Sequence, residues 1–342
     1  MNEANKVNEA NEVNKINKVQ ENSGKNTMKA LQIMGVEQAE LQEVAIPEPG
    51  AGQVLVKVKA VTTCPQWDLH VFYGKPMVGE VPFPFPHTLG QPGHEMTGTI
   101  AKLGAGCTLK VGQTVSAWRD QGYHRTGCYA EYVIMEEQNV LAVPDSLHYT
   151  KVASLELAMC VAASILRMKQ TVGISGKKCG VNGLGPAGLI AVQMLIAEGA
   201  SEVVGIDPNE QRRELAKKLG ASDAVVPDDA SLQLRGQAGA LQITIDCVGY
   251  PQAVHSIMDR TDEAVALFAV QRHPYELYHQ GLTVLGYPGH SREAAEYSLQ
   301  LIIDQKLDMS VLISRELPFE SYKEGVELLR SQEAIKICFV LE

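Results

Sequence analysis

Residues 177–207 constrain the fold of this chain more than any other segment. They read KKCGVNGLGPAGLIAVQMLIAEGASEVVGID: a short apolar run, a cluster of glycines, a longer apolar run and a second short apolar run. Short apolar runs bounded by glycine are typical of buried strands, and the longer run has the length of a helix. The segment therefore predicts a strand, a tight turn, a helix and a second strand, which is the repeating unit of a parallel sheet.

The same alternation continues toward the C-terminus. Three further short apolar runs are predicted to be strands: residues 223–226, 243–249 and 264–270. Helices are predicted after Pro251 and over residues 291–305, and residues 151–169 have helical spacing ahead of the first strand. This pattern predicts an α/β fold with a doubly wound parallel sheet, which we assign to residues 151–305.

The preceding part of the chain has the pattern of a β-rich unit. Residues 54–61, VLVKVKAV, alternate apolar and polar side chains, as expected of a half-buried strand. Further short apolar runs follow, separated by glycine and proline, and they predict an antiparallel, barrel-like unit over residues 28–150. A helix and a strand predicted within about residues 306–342 are expected to return to this unit.

The first 27 residues are predicted to form a disordered tail. Asparagine recurs at positions 2, 5, 8, 11, 14 and 17, with glutamate and lysine between. A three-residue period matches neither a helix nor a strand, and the segment has few apolar residues to bury. Alternatively, residues 1–27 are in-frame sequence that precedes a start at Met28.

The charge and cysteine content exclude several classes of protein. A net charge of −10 argues against nucleic acid or an anionic membrane as the main partner. No apolar run reaches the length of a membrane span, and no secretory leader opens the chain. The seven cysteines are scattered without a CxxC pair, which argues against a disulfide framework or a four-cysteine zinc knuckle and indicates a reducing, cytoplasmic location.

The glycine cluster fits a turn that binds a dinucleotide. Gly183, Gly185 and Gly188 match GxGxxG, with Pro186 and Ala187 between them. The first glycine makes the tight turn, the second lets the backbone approach a pyrophosphate, and the third lets the helix pack closely on the strand. The N-terminus of the helix then faces the phosphates. The sequence therefore predicts that these five residues form a cofactor site.

The nucleotide preference depends on Asp207, which ends the second strand 19 residues after Gly188. A carboxylate there accepts hydrogen bonds from the ribose hydroxyls and repels a 2′-phosphate, which favours NAD over NADP. Arg212 and Arg213 follow five and six residues later. They are expected either to soften that preference or to lie on a solvated helix face.

Two stretches of the β-rich unit contain candidate metal ligands. Residues 61–70 read VTTCPQWDLH and contain Cys64, whereas residues 90–98 read GQPGHEMTG and contain His94 and Glu95. Thiolate, imidazole and carboxylate bind zinc in tetrahedral sites with one position open for a substrate. The alternative is structural: a single cysteine is often a buried apolar residue, and a His-Glu pair is often an ordinary surface pair.

Several segments together resemble the zinc-dependent, medium-chain alcohol and polyol dehydrogenases. They are CPQWDLH, GHEMTGTIAKLG, GCYAEYVIM, GLGPAGLIAVQML with GID, and LPFESYKEGVELLRSQEAIKICF near the end. The resemblance covers about residues 28–342. It implies a GroES-like catalytic domain, a Rossmann domain and an active-site zinc in the cleft between them. It also implies hydride transfer between NAD and a secondary alcohol, polyol or sugar derivative.

The resemblance assigns roles to four residues of this sequence. It implies that Cys64 and His94 are zinc ligands, and that Glu95 is either a third ligand or a partner of the ligands. Glu156 falls where the family has a variable further ligand. The segment that contains a four-cysteine lobe in the family has one cysteine here, in VSAWRDQGYHRTGCY, so we expect one catalytic zinc and no structural zinc.

The stretch around Cys64 departs from the family pattern in its length. Counted back from His70, the expected ligand position is occupied by Pro65, and Cys64 lies one place earlier. We therefore expect Cys64 to reach the zinc from a bulged loop.

The proton relay is expected to differ as well, because the usual Thr or Ser is replaced by Trp67. We expect His70 to carry the proton to solvent, with Gln66 or Thr63 as the intermediate. Alternatively, His70 is a rim residue that contacts the cofactor.

The substrate class and the assembly are predicted only broadly. Five residues are candidate substrate contacts: Trp67, His70, Trp118, Arg119 and His124. Trp118 and Arg119 would otherwise pack and solvate their loop. By analogy with the family we expect a homodimer or homotetramer, with residues 282–287 as the seam between parallel sheets.

Two other functions remain open from the sequence. The first is a zinc-free reductase of the same superfamily that acts on a quinone or an activated alkene. The second is a non-catalytic protein that binds a dinucleotide, which the missing Thr or Ser relay favours.

Overall fold

A computed structural model describes residues 26–77, 80–118, 122, 124–270 and 278–341. Its strands are β1 Thr27–Gly35, β2 Gln38–Ala45, β3 Gln53–Thr62, β4 Glu95–Leu103, β5 Thr114–Ala117, β6 Tyr132–Glu136, β7 Val140–Ala142, β8 Lys178–Asn182, β9 Glu202–Ile206, β10 Asp223–Val225, β11 Leu241–Asp246, β12 Thr261–Leu267, β13 Thr283–Gly286, β14 Ile313–Pro318 and β15 Lys336–Val340. Its helices are α1 Pro65–Phe72, α2 Tyr149–Val152, α3 Leu155–Thr171, α4 Pro186–Ala197, α5 Glu210–Lys218, α6 Pro251–Met258, α7 Arg292–Ile303 and α8 Tyr322–Arg330.

The first part of the chain forms the predicted antiparallel, β-rich unit. Strands β1 and β2 pair with each other, and a second sheet has the order β14-β15-β3-β4-β5-β7, with β6 also paired to β3. All pairs in that sheet are antiparallel except β14 with β15. The last strand of the chain, β15, pairs with β3, so the end of the chain lies beside the strand that leads to Cys64.

The middle of the chain forms the predicted doubly wound sheet. Six parallel strands have the order β10-β9-β8-β11-β12-β13. The direction of winding reverses between β8 and β11, and in such sheets ligands bind in the crevice beyond the carboxyl ends of those strands. Asn182 and Asp246 end these two strands, and the Asn182 amide donates a hydrogen bond of 2.8 Å to the Asp246 carboxylate.

Helix α3 connects the two sheets. It packs against β4 and β5 of the first sheet and against β12 and β13 of the second. By length and composition alone the helical segment Tyr149–Thr171 is apolar enough to cross a membrane, although 72% of its most apolar window is buried inside the protein. Its buried side chains, which include Leu155, Ala158 and Met159, belong to the main core, and Glu156 in its first turn is 5% exposed.

The prediction of a bulged loop after Cys64 is wrong, because residues Pro65–Phe72 form helix α1. Proline is favoured in the first turn of a helix, where its fixed φ suits the helix and its missing N–H costs no hydrogen bond. Cys64 is the residue that precedes this helix. One extra residue in a helix adds only about 1.5 Å along its axis, so the longer span displaces Cys64 little.

Strand β13 lies at one edge of the parallel sheet. It covers the middle of the segment 282–287 that the sequence suggests as an oligomer seam. The assembly itself stays a prediction.

Candidate active site

Cys64 is positioned by the carboxylate of Asp68, one turn into α1. Asp68 Oδ2 accepts a hydrogen bond of 2.8 Å from the backbone N–H of Cys64. Asp68 Oδ1 accepts hydrogen bonds from the hydroxyls of Tyr129 and Tyr322, at 2.8 and 2.9 Å. Burial raises the pKa of Asp68 to about 6, although the two tyrosine hydrogen bonds lower it. A buried carboxylate with three donors thus fixes the backbone of the candidate ligand.

His94 lies directly before β4 and is 9% exposed. Its Nδ1 is 2.9 Å from the carbonyl oxygen of Pro92, which only accepts hydrogen bonds, so Nδ1 bears the proton. The Nε2 lone pair is therefore directed away from the backbone, as metal-binding histidines require. The Trp67 ring meets the His94 ring edge-on at 6.0 Å and stacks on Phe83, which gives the site an apolar wall.

Glu95 is brought close to these two residues but is held by a buried lysine. The ligand atoms of Cys64, His94 and Glu95 all lie within 4.8 Å of one another. Lys336 Nζ donates to both Glu95 oxygens, at 2.9 and 2.8 Å, and both side chains are fully buried. The Thr62 hydroxyl donates to Glu95 Oε2 at 3.0 Å. In this arrangement Glu95 is a neutralised partner beside the candidate ligands.

Glu156 approaches the same site from α3. Its Oε2 is 4.0 Å from His94 Nε2, and the two atoms would need to approach to roughly 3.3 Å to bind one tetrahedral ion at about 2 Å from each. Its Oε1 accepts hydrogen bonds from His290 Nε2 at 2.9 Å and from Cys160 Sγ at 3.1 Å. Burial raises the pKa of Glu156, but the hydrogen bond from His290 and the nearness of His94 and His290 outweigh burial and lower it overall. This lowered pKa favours the carboxylate form that a metal ligand needs.

His70 of α1 lines a cavity with residues of the parallel-sheet unit. Its Nδ1 is 2.8 Å from the Pro76 carbonyl oxygen. The cavity, of about 260 Å³, is also lined by Gln66 and by residues 247–250. Thr63, by contrast, is fully buried and its hydroxyl accepts a hydrogen bond of 2.9 Å from the Ile337 N–H. Of the two proposed intermediates, Gln66 therefore lies with His70 and Thr63 belongs to the scaffold.

The glycine-rich turn has the geometry that its sequence predicts. Gly183 has φ +88°, and a Cβ there would lie 2.7 Å from Val248 Cγ2. A Cβ at Gly188 would lie 1.8 Å from the Gly183 carbonyl oxygen, so close packing excludes any side chain. No described atom lies within 4 Å of the Cβ position at Gly185, which faces open space. Helix α4 begins at Pro186, followed by Ala187, beside this opening.

Asp207 borders the same opening, a pocket of about 570 Å³ that Gly183, Gly185 and Arg212 also line. Its two oxygens accept hydrogen bonds of 2.8 Å from the N–H groups of Leu184 and Asn209. A carboxylate accepts about four hydrogen bonds, so capacity remains for ribose hydroxyls. Arg212 Nη1 is 3.9 Å from Asp207 Oδ2.

Arg213 and Trp118 make structural contacts, whereas the other candidate substrate contacts in this loop are exposed or not described. Arg213 donates to the carbonyl oxygens of Asp207 and Pro208, which is a structural role. Trp118 is 7% exposed, packs in the main core and donates to the Gln138 carbonyl oxygen at 2.8 Å, in agreement with the packing alternative. His124 is exposed, and Arg119 lies outside the described residues.

Sequence reasoning missed four kinds of contact in this site. They involve Lys336, the Asp68–tyrosine cluster, Cys160 and His290. Cys160 had a detectable signal, because it follows Glu156 by four residues on a helix and so lies on the same face. The sequence signal for Lys336 was weaker: it is the charged residue in the otherwise apolar strand IKICFVL.

Comparison with known proteins identifies the family. The alcohol dehydrogenase GroES-like domain matches residues 50–145, and the zinc-binding dehydrogenase domain matches residues 186–302. L-threonine 3-dehydrogenase of Legionella pneumophila (strain Corby) is 27% identical, over 92% of this chain and 98% of the relative. L-threonine 3-dehydrogenase of Bacillus subtilis (strain 168) is 29% identical, over 93% and 99%.

Among solved structures, 2R,3R-butanediol dehydrogenase from Bacillus subtilis has the same fold, with a TM-score of 0.80 and 22% identity over 92% of this chain and all of that chain. The described residues thus contain a GroES-like unit and a Rossmann unit with dehydrogenase relatives over almost their whole length. The chain belongs to the zinc-type medium-chain dehydrogenase family.

The glycine turn generates a paired prediction. Gly188→Ala forces a Cβ against a carbonyl oxygen and should destabilise the protein by about 1–3 kcal/mol or more, as overpacking does. Gly185→Ala should leave the free energy of unfolding near that of the wild type but weaken NAD binding severalfold, because its Cβ enters the open pocket. Denaturant unfolding and calorimetric titration with NAD measure the two effects. Equal NAD affinity in Gly185→Ala and wild type would contradict a pyrophosphate at this turn.

The buried ion pair gives a second prediction. Lys336→Met leaves the Glu95 carboxylate buried without its counter-charge, and we expect a loss of about 3–5 kcal/mol in the free energy of unfolding. The double variant Lys336→Met/Glu95→Gln should recover part of that loss. Lys102→Met, which removes an exposed lysine paired with Glu48, is the control and should change stability little. If Lys336→Met had the same free energy of unfolding as Lys102→Met, Lys336 would not be the counter-charge of the buried Glu95 carboxylate.

The hydrogen bonds that Asp68 accepts from Tyr129, Tyr322 and the Cys64 N–H give a third prediction. Asp68→Ala leaves two buried hydroxyls and one N–H without their acceptor, at roughly 1–3 kcal/mol each. We expect lower stability in denaturant and, because Cys64 is no longer fixed, weaker zinc binding in a chelator competition. Asp304→Ala, at the exposed end of α7, is the control. Unchanged zinc affinity in a folded Asp68→Ala protein would separate Asp68 from the candidate metal centre.

Proposed function

We propose that this protein is a zinc-dependent oxidoreductase that transfers a hydride between NAD and a secondary alcohol, polyol or sugar derivative. One observation carries the proposal: the helix that begins after Cys64 and the dinucleotide turn both approach the same segment, residues 247–250. Helix α1, which begins after Cys64, presents Gln66 and His70 to residues 247–250. Cys247, Val248 and Tyr250 of that segment also line the pocket at the glycine turn.

The chemistry of the side chains supports zinc as the metal. Cys64 offers a thiol, His94 an Nε2 lone pair and Glu156 a carboxylate oxygen, and Cys, His and carboxylate are the ligands of open catalytic zinc sites. Zinc at this place would supply a Lewis acid that makes a bound alcohol more acidic. We assign Glu95 to the support of these ligands, because Lys336 neutralises its charge.

The protein's own side chains would orient the substrate and move its proton. Trp67 and Phe83 exclude water on one side of His94. His70 shares its cavity with Gln66, and we propose that these two residues carry the proton away from the alcohol. Their position beside residues 247–250 equally fits contact with the cofactor. The Asp207 carboxylate at the ribose end of the pocket favours NAD over NADP.

The relatives suggest the substrate class. The two relatives are named L-threonine 3-dehydrogenase, and the protein of the solved structure is named 2R,3R-butanediol dehydrogenase. Both names describe small molecules with a secondary hydroxyl, which agrees with the class proposed for this chain. We also propose a homodimer or homotetramer and, from the scattered cysteines, a cytoplasmic location.

Metal content tests this function most simply. We expect zinc in the purified wild type, and Cys64→Ser should contain one ion fewer per chain because a ligand thiolate is lost. Cys107→Ser is the matched control, since Cys107 only donates to the Gln53 carbonyl oxygen. Elemental analysis gives the zinc content, and NADH formation with a panel of secondary alcohols gives the activity.

The other outcomes distinguish the alternative functions. Wild type without zinc would favour a zinc-free reductase. Zinc and NAD binding without turnover of any alcohol would favour a non-catalytic protein.

A further inference from the structure

A second set of metal-ligand types lies next to the first. The ligand atoms of Glu156, Cys160 and His290 are all within 4.8 Å of one another. Glu156 and Cys160 lie one turn apart on α3, and His290 comes from the segment between β13 and α7. Glu156 is buried, Cys160 is partly buried and His290 is exposed. The set therefore combines carboxylate, thiol and imidazole from two separate elements, in a place that small ions can reach.

The Glu156 carboxylate divides its two oxygens between the two sets. Oε1 accepts from Cys160 Sγ and from His290 Nε2, at 3.1 and 2.9 Å. Oε2 faces His94 Nε2 at 4.0 Å. A carboxylate with one oxygen in each of two adjacent ligand sets has the geometry of a bridge in a two-metal centre, in which the ions are about 3.5–4 Å apart.

The simpler interpretation is that Cys160 and His290 are only hydrogen-bond donors to Glu156. Histidine suits that role, but a thiol is a weak donor. In its hydrogen bond to Glu156 Oε1 the Cys160 thiol is the donor and carries the proton. A divalent ion would replace that proton, as zinc does when it binds cysteine.

We propose that Glu156, Cys160 and His290 bind a second Zn²⁺ ion, with Glu156 as the bridge to the ion held by Cys64 and His94. The Cys160 thiol loses its proton to solvent, and the His290 proton moves to Nδ1 so that Nε2 offers its lone pair. The Cys160 thiolate and the shared Glu156 carboxylate then offset most of the charge of the ion. The separations of 2.9 and 3.1 Å must widen, since ligand atoms at about 2.0–2.3 Å from a tetrahedral ion lie roughly 3.3–3.8 Å apart.

This site goes beyond the proposed function, which needs only the ion at Cys64 and His94. It also raises the zinc content above the single catalytic ion that the cysteine pattern predicts. Its ligands can be removed without touching Cys64 or His94, so the two sites are separable by experiment.

The test is the zinc content of the full-length protein after metal removal, reloading with Zn²⁺ and dialysis. We expect wild type to bind two ions per chain, and both Cys160→Ala and His290→Ala to bind one. Cys64→Ser should also bind one, retained at the second site. Cys107→Ser should bind two. In the Co²⁺-loaded protein, the thiolate-to-metal absorption should fall by about half in Cys160→Ala and in Cys64→Ser, because each variant keeps one cysteine ligand.

Circular dichroism checks that each variant is folded. Cys160 and His290 lie on different elements, so a local structural defect in one variant would not by itself produce the loss of zinc in both. One ion per chain in wild type, unchanged in Cys160→Ala and His290→Ala and lost in Cys64→Ser, would overturn the second site and leave the proposed function intact. One ion that is lost in Cys160→Ala but kept in Cys64→Ser would overturn the bridged pair and the Cys64 site together.

Discussion

The ion pair between Lys336 and Glu95 is the contact on which the rest of the site depends. Both side chains are fully buried, and a charge removed from water without a partner is among the costliest features that a fold can contain. Glu95 is also bonded to Thr62, whose hydroxyl lies 2.7 Å from that of Ser154. The network thus joins the first residue of β15, the end of β3, the start of β4 and the start of α3. Cys64 follows β3, His94 precedes β4 and Glu156 lies in α3, so the pairing of the final strand affects how the candidate ligands meet.

Three buried carboxylates surround this centre, and their partners give each a different role. Lys336 and Thr62 donate hydrogen bonds to the Glu95 carboxylate. The Asp68 carboxylate accepts hydrogen bonds from two tyrosines and from the backbone N–H of Cys64, and so it positions Cys64. Glu156 has an oxygen 4.0 Å from His94 Nε2. The environments of these side chains, more than their residue type, distinguish a structural acid from a candidate ligand. The same principle applies to Trp118, whose hydrogen bond to a carbonyl oxygen makes it part of the core.

The fold class and the glycine turn could be predicted because their causes are local in the sequence. Gly183 and Gly188 are required by contacts within the turn and with the strands beside it, and the alternation of strands and helices was visible along the chain. Lys336 could not be predicted, because it meets Glu95 across 241 residues. His290 meets Glu156 across 134. Helix α1 was missed because its capping acid is stabilised by Tyr129 and Tyr322, which are distant in sequence. The domain bounds and the roles of the site residues stay predictions.

Transfer of a labelled hydride tests the central claim most directly. The zinc-loaded protein would be incubated with NAD⁺ and secondary alcohols that carry deuterium on the carbinol carbon, including L-threonine, 2,3-butanediol and sugar alcohols. We expect at least one of them to deliver deuterium to carbon 4 of the nicotinamide ring, detected in NADH by mass spectrometry and NMR. A protein that is saturated with zinc and NAD⁺ but forms no deuterated NADH from any of these alcohols would contradict the assignment of this crevice as an alcohol dehydrogenase site.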